Sequence, residues 1–130
     1  MIYIVLNAPA ILLATLAGLL FGVAGQRVAG FRASDGVLVT LIVAFVAQAW
    51  LCAILAGALI LAPAKAGVWT MTLGSAFVIW IGFVAPTLIA SYRARSIALR
   101  SALCDCLLWL GTMLIQAAVL RLVGLTPPPA

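Results

Sequence analysis

Apolar residues fill four long stretches of this chain, and nearly all polar and charged residues fall in the short segments between them. The first stretch runs from Met1 to Gly25, interrupted only by Asn7, Pro9 and Thr15. Proline is tolerated in the first turn of a helix, where its missing N–H would have no partner. A first helix is therefore predicted over residues 7–25. Its basic residues follow the apolar run instead of preceding it, which is unlike a cleaved signal peptide. Gln26 to Gly36 is a polar loop with Arg27, Arg32, Ser34 and Asp35, and either Ser34 or Asp35 is suited to cap the next helix. No residue from Val37 to Ala64 is charged, giving a second helix over 37–62. Pro63-Ala64-Lys65-Ala66-Gly67 reads as a tight hairpin, which makes the second and third helices antiparallel neighbours. The third is predicted over 68–92, with Gly82 and Pro86 in its second half. Arg93, Arg95 and Arg100 mark a further loop, and the fourth helix covers 101–123. The tail, 125–130, carries three consecutive prolines and is expected to be extended.

Composition decides the solvent. Of 130 residues, 68% are hydrophobic and 7% charged, against roughly 45–50% and about 25% in soluble domains. Too little polar surface is present to coat a water-soluble globule, and each stretch approaches the roughly 20 residues that a bilayer crossing needs. The predicted fold is all-α, an integral membrane bundle of four transmembrane helices in up-down order, forming one transmembrane domain over residues 1–130. A soluble enzyme, a secreted disulfide scaffold and a disordered tail are excluded on the same grounds.

Charge then sets the expected orientation. The loops after the first and third helices hold five basic residues, Arg27, Arg32, Arg93, Arg95 and Arg100, while the other side holds two, Lys65 and Arg121. The positive-inside rule places the basic loops in the cytoplasm and both termini on the outer side. The net charge of +5 is thus explained by topology, and no nucleic-acid partner is expected. The spacing Arg-x4-Arg recurs in both basic loops, as a parallel repeat or any four-span chain of this orientation would have it.

Small residues are expected to carry the helix packing, because lipid supplies no hydrophobic drive between helices. Ala10, Ala14, Gly18 and Gly22 form one stripe on the first helix, and Ala49, Ala53 and Gly57 another on the second. Each stripe can pack within the chain, and one left over can face another subunit. Trp69 lies at a predicted outer boundary, whereas Trp50, Trp80 and Trp109 lie deeper and are expected to serve apolar packing, a bound lipid being the other use.

Candidate chemistry is sparse. With no histidine, no His-ligated haem, chlorophyll or zinc and no His-assisted nucleophile is expected, and no cofactor is predicted beyond a bound lipid. Cys104 and Cys106 lie roughly 200° apart on a helix, which suits small buried hydrophobes better than a metal or redox pair. Asp105 is the one acid within a predicted span. A central Asp costs about 2.5–3.5 kcal/mol to insert, and each large apolar residue returns about 0.3–0.6, so the fourth helix can carry it. Arg93 or Arg95, reaching from the loop, is its expected partner; a proton relay or a cation-binding role is the alternative. Gln48 and Gln116 are expected to form an interhelical hydrogen bond. Thr15, Thr40, Thr87 and Thr112 are too few to line a polar path by themselves. Pro86 should bend the third helix and free the carbonyl of Gly82, which Thr87 or a neighbouring helix can satisfy.

Trp80-Ile81-Gly82-Phe83-Val84-Ala85-Pro86-Thr87-Leu88, a basic loop, and Leu103-Cys104-Asp105 opening the last helix resemble the domain of unknown function 1761 family. The leading Asn7 and the Gly-rich first helix are also similar. The resemblance implies a small bacterial inner-membrane protein of four helices and points to Gly82, Pro86 and Asp105; it implies no activity. The expectation for function is a non-catalytic accessory or scaffold subunit, in a homo-oligomer or larger membrane complex. Its alternative is a small oligomeric transporter or channel using Asp105 as intramembrane acid.

Overall fold

A computed structural model describes residues 2–30 and 36–129. Arg32, Ser34 and Asp35, which the sequence assigns to topology and capping, lie outside the described residues. Among the described residues, six α-helices follow one another: α1 (Ile2–Leu6), α2 (Ala8–Val28), α3 (Val37–Leu61), α4 (Val68–Ile79), α5 (Ala85–Ala94) and α6 (Leu99–Val123), with a π-helical turn over Trp80–Val84 joining α4 to α5. Four helical segments are long and apolar enough to cross a membrane: Ala8–Val28, Val37–Leu61, Val68–Ala94 and Leu99–Val123.

Local chemistry sets the ends of these helices. The long first helix starts at Ala8 with Asn7 at its N-cap, beside the residue-7 start expected from the sequence, and the short α1, which the sequence does not signal, runs directly into it. Pro9 withholds a donor at this point, yet the Asn7 amide still bonds Tyr3 O at 3.0 Å and Ile11 N bonds Asn7 O at 2.9 Å. Gly36, with φ +97°, opens α3 in a left-handed conformation that only glycine adopts without strain. The hairpin 62–67 is closed by a Lys65 N to Pro63 O bond of 2.9 Å. Ser96, at φ +58°, ends α5, and Ile97 N reaches back to Tyr92 O at 2.9 Å. This is the Schellman closure, and it turns the chain sharply into α6.

The predicted effect of Pro86 takes the form of the π turn. Ala85 N–H bonds Trp80 O, five residues back, so the helix widens around the proline and continues through it. The hydroxyl of Thr87 donates to Phe83 O at 2.5 Å, so it serves that carbonyl and not the Gly82 carbonyl expected from the sequence. Threonine bonds the carbonyl four residues back most readily.

Helix α6 is the centre of the packing. It shares its most extensive interface with α2 and also touches α3, α4, the π turn and α5. The core is built from Ala10, Ile11 and Ala14 of α2, Cys52, Ala53, Leu55 and Ala56 of α3, Ala76 of α4, and Met113, Ala117 and Leu120 of α6. Alanine is prominent because close backbone approach, not apolar bulk, holds helices together in lipid. Large apolar residues such as Leu20, Val46, Val78, Phe83 and Leu107 point outward, the inverse of a soluble fold.

Candidate functional site

The small residues of α2 are consumed inside the chain. Ala14 is fully buried, and a Cβ placed on Gly18 would lie 2.7 Å from Gln116 Nε2 and 3.0 Å from Thr112 Cγ2. Gly22 faces Gln48 Nε2 at 3.6 Å and Thr112 Oγ1 at 3.8 Å on the same basis. On α3, Ala53 is buried and Gly57 lies beneath the Tyr3 phenol. By contrast, a Cβ placed on Gly74 or Gly82 would meet nothing within 4 Å, and both glycines are exposed.

These close approaches seat a row of polar side chains. Asp105, Trp109, Thr112 and Gln116 recur at intervals of four, three and four along α6, so they share one face. That spacing was present in the sequence and identifies the row without any structure. Gln116 is completely buried, and its Nε2 donates to Gln48 Oε1 at 3.5 Å, forming the expected interhelical pair. Gln116 Oε1 is buried without a hydrogen-bond partner among the described residues.

Asp105 finds a partner other than the predicted one. Its Oδ2 accepts a hydrogen bond from the Tyr92 phenol, and no arginine stands within ion-pair distance of it among the described residues. The physical reason lies in the α5–α6 corner: the Schellman turn lays the last turn of α5 beside the first turns of α6, where a rigid phenol reaches the carboxylate. Arg93, Arg95 and Arg100 are exposed, consistent with the preference of guanidinium groups for water over apolar surroundings. Close by, Trp80 Nε1 donates to Cys106 O at 2.7 Å, and Cys106 is buried while Cys104 is half-buried. Trp80 thus combines the expected packing with a polar tie to α6, whereas Trp50 faces outward.

Asp105 also lines a cavity of about 110 Å³ between α2, α3 and α6. Exposed Gln26 and Thr40 stand at its wall with buried Gln48 and Thr112, and Trp109 forms part of its side. Thr40 and Thr112 therefore do contribute to a polar enclosure, with two glutamines and an acid that the sequence does not visibly bring together. Thr15 and Thr87 stay outside it, each bonded to its own helix. Among the described residues, no lysine or arginine lines the cavity.

At the other end of α2, the Asn7 side chain bonds the backbone of the C-terminal tail. Thr126 N donates to Asn7 Oδ1 at 2.7 Å, and Asn7 Nδ2 donates to Thr126 O and to Tyr3 O, both at 2.8 Å. The sequence gives no signal for this clamp. No family model, curated protein or solved structure matches the chain.

Proposed function

We infer that this chain is a non-catalytic accessory or scaffold subunit of a membrane assembly, formed with further copies of itself or within a larger complex. In this reading it crosses a bacterial inner membrane four times in up-down order, with both termini outside and its basic loops in the cytoplasm. The observation that carries it is the bare face of the third span. Gly74 and Gly82 meet no neighbour, whereas the glycines of α2 are covered. Only 11% of the most apolar window of this span is buried, against 33% in the fourth. Ala58, Thr70, Met71, Gly74, Ser75 and Val78 border an outward groove of about 410 Å³ along it. Small residues without a partner permit the close helix approach on which association in lipid depends. The resemblance noted around Trp80–Leu88 falls on the same span.

Extraction in a mild detergent followed by native mass spectrometry tests this reading. Wild-type protein is expected above the 13.5 kDa of a single chain, as a multimer or with other subunits. The double substitution Gly74→Leu with Gly82→Leu should reduce it to one chain while leaving helical content unchanged. A wild-type particle containing one chain and nothing else contradicts the proposal. A second reading, a small transporter or channel in which Asp105 serves as the intramembrane acid, draws on the cavity that this carboxylate lines.

A further inference from the structure

We propose that the cavity at Asp105 binds a primary ammonium group, carried either by a small free amine or by the head group of an aminophospholipid. The first ground is an uncompensated charge. The Asp105 carboxylate has a neutral phenol as its hydrogen-bond partner, no basic side chain lines the cavity, and no ion pair reaches the acid among the described residues. Asp105 is half-buried, and a carboxylate that has lost part of its water is stabilised by a counter-charge.

The second ground is an unused hydrogen-bonding set. Thr15, Thr72 and Thr87 each donate to the carbonyl four residues back. Thr112, only 2% exposed, makes no such bond among the described residues and borders the cavity instead. Gln48, 6% exposed, also borders it, but its Oε1 already accepts from Gln116, so it adds no free acceptor. An –NH3+ group has three donors. The second oxygen of Asp105, the Thr112 hydroxyl and the Thr40 hydroxyl or Gln26 amide oxygen are acceptors of the right kind to meet them. A quaternary ammonium has no N–H to offer this set.

Size and wall chemistry narrow the ligand further. The space of about 110 Å³ is well above the roughly 10–15 Å³ that a single water needs, enough for an ammonium with a short carbon stem. Trp109 supplies an aromatic wall of the type that attracts cations, and Leu19, Val23, Leu41 and Leu108 complete it. Gly22 keeps the pocket open, since its missing side chain would stand toward Gln48 Nε2 and Thr112 Oγ1.

The test uses the whole protein in nanodiscs containing equal amounts of phosphatidylethanolamine and phosphatidylglycerol, with retained lipid counted by native mass spectrometry. In a second arm, ethylammonium chloride is titrated against the retained lipid. Wild-type protein is expected to retain phosphatidylethanolamine about tenfold over phosphatidylglycerol, or to retain ethylammonium itself, and Asp105→Asn should lower that retention about tenfold. Thr112→Val should lower it too, in a protein with its charge intact. Displacement of the lipid by ethylammonium identifies the ammonium alone as the recognised group, whereas retention of the lipid unaffected by ethylammonium makes its phosphate part of the site. Equal retention by wild type and both variants overturns the proposal. So does a wild-type protein that retains neither amine, or one from which equimolar sodium displaces both.

Discussion

Gly18→Leu is expected to destabilise the folded protein by about 3 kcal/mol, at the upper end of the usual cost of overpacking a core. A Cβ at this position already lies 2.7 Å from Gln116 Nε2 and 3.0 Å from both Gln116 Cγ and Thr112 Cγ2. Thr112 has the cavity beside it, but Gln116 Cγ stands close to the α6 backbone and can shift little. Gln116 is fully buried and tied to Gln48, and Thr112 is 2% exposed. Helices α2 and α6 must therefore separate along their most extensive interface. Separation also weakens the Gln48–Gln116 bond, the kind of contact worth about 0.6 kcal/mol between membrane helices. Equilibrium unfolding of the purified protein in mixed micelles measures the loss, with Gly74→Leu as the comparison. A Cβ at position 74 meets nothing within 4 Å, so the stability of a single chain should hardly change. Similar losses at both positions would show that the α2–α6 contact is not as close as described.

Asn7→Leu is expected to free the C-terminal tail. The side chain it replaces makes three hydrogen bonds, two to the Thr126 backbone and one to Tyr3 O. Asn7 is 3% exposed and Thr126 is exposed, so the freed tail groups turn to water once the tail opens. At about 1 kcal/mol net for each of the two bonds that hold the tail, its local opening becomes easier by about 2 kcal/mol. Leucine has the same number of side-chain heavy atoms as asparagine, which isolates the polar contribution. Hydrogen exchange at the Thr126 amide should then accelerate by about thirtyfold. The amides of α3 and the middle of α6 should keep their wild-type rates. An unchanged Thr126 rate would mean that the tail is held by Leu125 and its apolar contacts instead.

The helices were legible because their cause is local. Apolar runs without charge, proline near a helix start and glycine or proline near the stops place the described spans within a few residues of those read from the sequence. The small stripe of α2 was legible for the same reason, since a spacing of four residues puts Ala10, Ala14, Gly18 and Gly22 on one face. What covers a stripe is a property of the whole packing. Nothing in the chain distinguishes the α2 stripe, buried against Gln116 and Thr112, from Gly74 and Gly82, which stay bare.

Partner choice among polar groups was the least legible level. Asp105 has Tyr92, Arg93 and Arg95 within reach by sequence position, and charge favours the arginines. The turn at Ser96 decides otherwise, because it sets the phenol against the carboxylate while the guanidinium groups stay exposed. The Asn7–Thr126 clamp joins opposite ends of the chain with a backbone group as partner, so no residue type advertises it. The α6 row from Asp105 to Gln116 lies between these cases. Its spacing was readable, but the contributions of Gln26, Thr40 and Gln48 to the same cavity depend on how α2 and α3 meet α6.

The central claim is that lipid, not water, bathes the outward faces of all four long helices, and spin-label accessibility measures this most directly. Single nitroxides would be attached at Leu20→Cys, Val46→Cys, Val78→Cys and Leu107→Cys, in a background with Cys52, Cys104 and Cys106 replaced by alanine, after reconstitution into bilayers. Each parent side chain points outward. Frequent collisions with dissolved oxygen and few with a water-soluble nickel chelate are expected at all four sites, and the reverse at Lys65→Cys in the hairpin. Ready access of the chelate to any of the four helix sites would contradict it.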